Sequence, residues 1–214
     1  MLWPMTGTAK ARRLLVSEGV DVVHRIIEHQ AALDGHRVAV VDTGETITYS
    51  LLNARANVLA RALRCAGLRR GGHALIAGEA SIDVVVALLS VLKSGASYTW
   101  SSAMDTRAGN PVISVAPQVG RTPDEYLPVT PVLEHGLLHS SPNLPVLSRG
   151  PDVACVVSPF DEASRPLSHA AIVARRGTGE TWLKAHDDRT AVPLWVALMD
   201  GLPVTLPGRA AAAA

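Results

Sequence analysis

Residues 156–173 read VVSPFDEASRPLSHAAIV, and they gather reactive side chain types into one short stretch. Ser158, Ser164 and Ser168 offer hydroxyls, Asp161 and Glu162 adjacent carboxylates, Arg165 a guanidinium and His169 an imidazole, with Pro166 between. An apolar strand, a loop and a helix in this order are where a phosphate-binding loop is expected. Such a loop uses glycines so that backbone N–H groups can close around phosphates, hydroxyls for further hydrogen bonds and a lysine to offset charge. From Ser158 to His169 there is no glycine and no lysine, and Pro159 removes an N–H donor. Asp161 and Glu162 would face the anion with like charge. Two unit charges about 4 Å apart repel by about 1 kcal/mol in water and about 4 kcal/mol at an effective dielectric of about 20. The stretch has the frame of a nucleotide site without its chemistry.

Other reactive types are equally sparse. Ser168 lacks the G-x-S-x-G elbow of a hydrolase nucleophile. The eight histidines show no ligand spacing with one another or with cysteine, so no metal is expected. His169, alone at a helix start, reads as a cap or packing group. Gly177-Thr178-Gly179-Glu180 is an isolated glycine turn, Trp195 is expected in the core, and Arg69-Arg70 and Arg175-Arg176 are expected on solvated faces. No catalytic residue is assigned.

The elements that must position this stretch follow from periodicity. Residues 21–35 place Val22, Val23, Ile26 and Ile27 on one helical face and stop at Gly35. A hairpin is predicted over 38–49, with strands at 38–41 and 46–49 around a Thr43-Gly44 turn. Ser50 is placed as the cap of a helix whose buried face is 51, 52, 56, 59, 62, 63 and 66, ending at Gly67. A buried strand at 73–78 is followed by a helix capped by Ser81, stopped by Gly95 and apolar nearly all round, and then by a strand at SYTW. Prolines at 111, 117, 123, 128, 131, 142 and 145 exclude a long helix between 101 and 150, where NPVISV and LPVLS are candidate short strands. Beyond 152 come a strand (DVACVVS), a helix (SHAAIVARR), a second helix (PLWVALMDG) and a strand (LPVTLPG). The fold class is therefore α/β, with layered sheets flanked by helices.

Composition agrees. The 214 residues are 48% hydrophobic and 18% charged with a net charge of +1, which marks a folded globular chain with no strong field for nucleic acid or acidic lipid. The longest apolar run, VVVALLSVL, has 9 residues against the ~20 of a membrane span. Cys65 and Cys155 sit in apolar surroundings and are expected as buried free thiols, in keeping with the cytoplasm. Residues 1–20 are read as a flexible leader without the order of a signal peptide. Residues 21–208 form the folded domain, and 209–214 are an unstructured tail.

Several of these segments, in order, resemble the start of an adenylation domain of the acyl-adenylate-forming superfamily, of nonribosomal peptide synthetase type. ITYSLLNARANVLARAL is similar to the family's T-Y-x-E-L-N-x-x-A-N-x-L-A helix. LRRGGHALIAGEASIDVVVALLSVLKSGASYTW is similar to its G-x-x-x-G-D-x-V segment and L-K-A-G-x-A-Y signature, with His73 where Asp is usual. DVACVVSPFDEASRPLSHAAIV stands where the family has its phosphate loop, S-G-[ST]-[ST]-G-x-P-K-G, and DDRTAVPLWVALMDGLPVTLPG resembles a later segment. The resemblance implies the first part of the family's large N-terminal subdomain, truncated before the substrate-pocket, ribose-binding and hinge motifs and the lid lysine. It implies ATP and magnesium as the family's ligands; the degenerate loop argues that neither is bound. Two readings follow. One is a non-catalytic interaction or scaffolding element of a peptide or polyketide assembly line. Its partners would be a second copy, as in a dimer, or a synthetase-type protein that covers the apolar face left by truncation. The other is half of a split ATP-dependent ligase that makes an acyl-AMP.

Overall fold

The computed structural model describes residues 21–101, 112–116, 125–129, 142–157, 165–177 and 191–206. The expectations for the leader, for Ser158, Asp161, Glu162 and Ser164, for Thr178–Glu180 and for the tail fall outside them. In chain order the elements are α1 (Val23–Asp34), β1 (Val38–Asp42), β2 (Glu45–Thr48), α2 (Tyr49–Cys65), β3 (His73–Ala77), α3 (Ile82–Lys93), β4 (Ser97–Ser101), β5 (Val112–Ala116), β6 (Glu125–Pro128), β7 (Val153–Val157), β8 (Arg165–Ser168), α4 (His169–Val173), α5 (Val192–Met199) and β9 (Val204–Thr205).

Two sheets result. The smaller runs β2-β1-β9, with β1 antiparallel to β2 and parallel to β9. The larger runs β6-β5-β3-β4-β7-β8. Its centre, β3-β4-β7, is parallel, while β5, β6 and β8 are antiparallel additions. Helix α3 contacts α1, α2, β1, β3 and β4, which accounts for a helix that is apolar on every side. Its cap is Ser81, whose Oγ accepts from the Val84 N–H, and Gly95 turns the chain out at φ +84°.

The hairpin forms around the expected turn, with Gly44 at φ +93°, but its second strand is Glu45–Thr48 and Tyr49 already opens α2. The start of α2 differs: Thr48, not Ser50, is the cap, with its side chain accepting from the Leu51 N–H. Thr48 has the extended φ/ψ of a cap and ends a strand, whereas Ser50 lies inside the first turn. The buried face shifts accordingly. Tyr49, Asn57 and Ala60 are buried, while Leu51 is 40% exposed and Ala62 and Ala66 are only partly covered. Cys65, at the open end of α2, is exposed, contrary to expectation; Cys155 is buried, and neither forms a disulfide. Gly35 does close α1, but with an ordinary negative φ; a Cβ there would stand 2.7 Å from the Ala31 carbonyl and 2.9 Å from Ser50 Cβ.

NPVISV supplies β5. LPVLS is not a strand: residues 142–149 run without regular structure as a strap across α2 and the end of α3. Asn143 Oδ1 accepts from Asn53 and Asn57, the Pro142 carbonyl from Arg61 and the Pro145 carbonyl from Arg64. β6 and β8 are additions to the elements that periodicity predicts. β6 contains Pro128 and lies on the sheet edge, where a missing N–H is tolerated.

Candidate functional site

Strands hold the chain on both sides of the loop. β7 pairs in parallel with β4 through Tyr98 and Cys155, and the Thr99 hydroxyl donates to the Val156 carbonyl at 2.8 Å. Tyr98 itself is buried and accepts from Trp195 Nε1–H at 2.6 Å, so β4 is tied to α5 and Trp195 is a core residue as expected.

On the far side the chain returns at once as β8, with Val157 opposite Arg165 and Val156 opposite Pro166. Arg165 and Pro166 thus stand on a strand, exposed, beyond the loop. Seven residues, 158–164, connect the two strands, and none is glycine or lysine.

After β8 the backbone is closed upon itself. A helix N-terminus normally leaves N–H groups pointing outward, ready for an anion. At α4 the first three are already used. The His169 N–H donates to the Asp152 carbonyl at 3.1 Å, the Ala170 N–H to the Gly150 carbonyl at 2.8 Å and the Ala171 N–H to Ser168 Oγ at 3.2 Å. Ser168 is therefore a helix cap.

His169 is buried as a packing group. Its Nδ1 accepts from the Val23 N–H at 3.4 Å, and its ring stands edge-on to that of His24 at 5.8 Å. Burial pushes its pKa down to about 4, against the opposing pull of Asp152 and Asp21. His24 is likewise held well below the ordinary range, by burial first and then by His169 and Lys93. At neutral pH both rings are uncharged, and His169 has no proton on Nδ1 to give.

Two further charged groups stabilise the same region. Lys93, fully buried at the end of α3, is ion-paired with the buried Glu28 of α1. Burial lowers the Lys93 pKa and the Glu28 charge works against that. Arg70 forks onto Asp152 Oδ2 at 2.8 and 3.2 Å, and the Arg149 N–H adds a bond at 3.0 Å. Burial pushes the Asp152 carboxyl up, but the Arg149 N–H and the Arg70 guanidinium outweigh it, so its pKa is lowered. Arg176 corrects the expectation of a solvated face: it is paired with Asp200 at 3.2 Å and both side chains are largely covered.

His73 is buried too, with Nδ1 2.9 Å from Ser97 Oγ, and burial alone takes it to about 4. It serves the β3–β4 contact.

Residues 158–164 carry two carboxylates and no glycine or lysine, and the adjacent helix start has spent its first three donors internally. Among the described residues no group of three His, Cys, Asp or Glu side chains could hold a metal ion. Signals for these closures are present in sequence only as Ser168, whose position before an apolar run suits a cap.

Comparison with known proteins agrees with this architecture. Residues 27–108 match the family described as AMP-binding enzyme. Surfactin synthase subunit 2 of Bacillus subtilis is 46% identical over 76 residues, which are 36% of this chain and 2% of that protein. Malpinin synthetase of Mortierella alpina is 41% identical over 76 residues, or 1% of its length. The large subunit of L-2-aminoadipate reductase from Eremothecium gossypii is 37% identical over 83 residues, 6% of that protein. The chain thus spans only a few percent of the curated relatives it matches. The Klebsiella oxytoca NpsA N-terminal subdomain, solved with 3-hydroxyanthranilyl-AMSN, superposes with a TM-score of 0.65 at 21% identity, covering 87% of this chain and 53% of that one. An artificially fused adenylation-PCP di-domain from the same organism gives 0.65 at 19% identity, over 39% of its length. The fold is that of the N-terminal subdomain of nonribosomal peptide synthetase adenylation domains.

Proposed function

We propose that this chain, part of an adenylation domain of the nonribosomal peptide synthetase type, is a non-catalytic module that acts as an interaction or scaffolding element in peptide or polyketide assembly. The observation that carries the reading is the closed start of α4, where the first three N–H groups bond to Asp152, Gly150 and Ser168, beside a connecting loop without glycine or lysine. A frame that kept its helices and sheets while losing the phosphate cradle retains surfaces, and fold likeness by itself confers no activity.

The alternative, half of a split ligase, needs the same cradle, and its place is in this chain. The matched relatives include peptide synthases and a reductase subunit, so residues shared with them do not select an activity. The test is acid-dependent ATP–pyrophosphate exchange with mixed amino and carboxylic acids. No exchange above the protein-free rate is expected; exchange that depends on one acid would refute the reading.

A further inference from the structure

Charge is unevenly spread along this nearly neutral chain. Residues 46–78 hold five arginines, at 55, 61, 64, 69 and 70, and no aspartate or glutamate. Arg61 and Arg64 bond to the strap over 142–149, which ends in Arg149; Arg69 lies against Arg64, and Arg70 lies beside Leu147 at Gly95. Arg64 donates to the carbonyls of Lys93 at 2.8 Å and Pro145 at 3.4 Å. Arg69 donates to the carbonyls of Arg64 and Leu68. Carbonyls carry no net charge, so these bonds fix the guanidiniums without neutralising them. Consistently, the Arg64 pKa is lowered by burial first and then by Arg61 and Arg69.

Among the described residues, the carboxylate paired within this group is Asp152, which takes up Arg70. Arg69, Arg70 and Arg149 are exposed. Between the arginines the strap turns Val146 and Leu147 outward, 40% and 37% exposed. Their place is fixed: the Pro145 carbonyl lies against Arg64, and a Cβ on Gly95 would meet Leu147 Cβ at 3.0 Å and Arg70 at 3.4 Å. Two exposed aliphatic side chains on a strap that arginines hold and flank form a surface of mixed character.

We infer that this surface, formed by Arg64, Arg69, Arg70, Arg149, Val146 and Leu147, docks an acidic polypeptide segment that also carries aliphatic side chains. Carboxylates match the guanidinium forks in charge and geometry. The apolar pair at the centre favours a peptide over nucleic acid, which would present phosphates and no aliphatic groups. The inference rests on the reading of the chain as an interaction element and names the chemistry of its partner.

The test uses the full chain and a fluorescein-labelled peptide of alternating glutamate and leucine, followed by anisotropy. Binding is expected to weaken as salt rises from about 50 to about 200 mM. It should fall by about tenfold in R69E/R149E and less in R69Q/R149Q. Circular dichroism establishes that these variants fold; V146S/L147S on the strap gives a second route to the same loss. Absence of binding, equal binding by R69E/R149E, or tighter binding of single-stranded DNA would each overturn the inference. Mg-ATP titrated in parallel separates the two ideas. ATP binding overturns the non-catalytic reading and leaves the docking surface intact, whereas loss of peptide binding alone does the reverse.

Discussion

Glu28 and Lys93 are an ion pair taken out of water, and the cost of removing either differs from the worth of the pair. Lys93→Met removes the buried partner of Glu28 and leaves its carboxylate only the half-exposed Arg25 at 3.4 Å, and is expected to cost up to about 3–5 kcal/mol in urea unfolding. The double change Lys93→Met with Glu28→Leu should restore most of that, because a packed apolar pair needs no desolvation. A second prediction concerns pH. His169 and His73 titrate at about 4 in the fold against about 6.5 unfolded. The unfolded chain therefore binds more protons between those values, and stability is lost as pH falls from about 6.5 towards 4, by roughly 3 kcal/mol per ring at most. Urea midpoints measured from pH 7 down to 4.5 should decline, and less steeply in His169→Gln; an unchanged slope would contradict the burial of an uncharged His169.

At the scale of elements, the cap of α2 distinguishes two assignments. Thr48→Ala should cost about 1 kcal/mol and Ser50→Ala a few tenths, read by thermal or urea denaturation, since Thr48 holds the Leu51 N–H. The periodicity of α2 and α3 is legible because Leu and Val recur at helical spacing, and Ser81 and Gly95 punctuate α3 plainly. Ser50 misleads because Thr and Ser flank the junction and both are good caps; only the end of β2 decides between them. β8 leaves little trace because RPLS carries no alternation and a proline, and its pairing with β7 is a tertiary event. LPVLS has strand composition, yet Arg64 of α2 bonds to its Pro145 carbonyl. At the candidate site the missing glycines and the added carboxylates are visible in sequence, whereas the spent N–H groups at α4 depend on carbonyls of Gly150 and Asp152 that only the fold brings near. Arg176 reads as solvated in sequence because its partner Asp200 is 24 positions away.

For the whole molecule, the larger sheet has three parallel central strands, with β4 tied to α5 through Tyr98 and Trp195. Tyr98→Phe should lose about 1–2 kcal/mol by leaving the indole N–H without its acceptor, with the fold unchanged by circular dichroism. None of the helices among the described residues is long and apolar enough to cross a membrane. What distinguishes this molecule is that its supports are complete while the loop they hold lacks the groups that would grip a triphosphate. Calorimetric titration of the chain with Mg-ATP tests this most directly. The account predicts no saturable heat at millimolar nucleotide; a stoichiometric complex with a Kd below about 100 μM, some 5 kcal/mol or more of binding free energy, would contradict it.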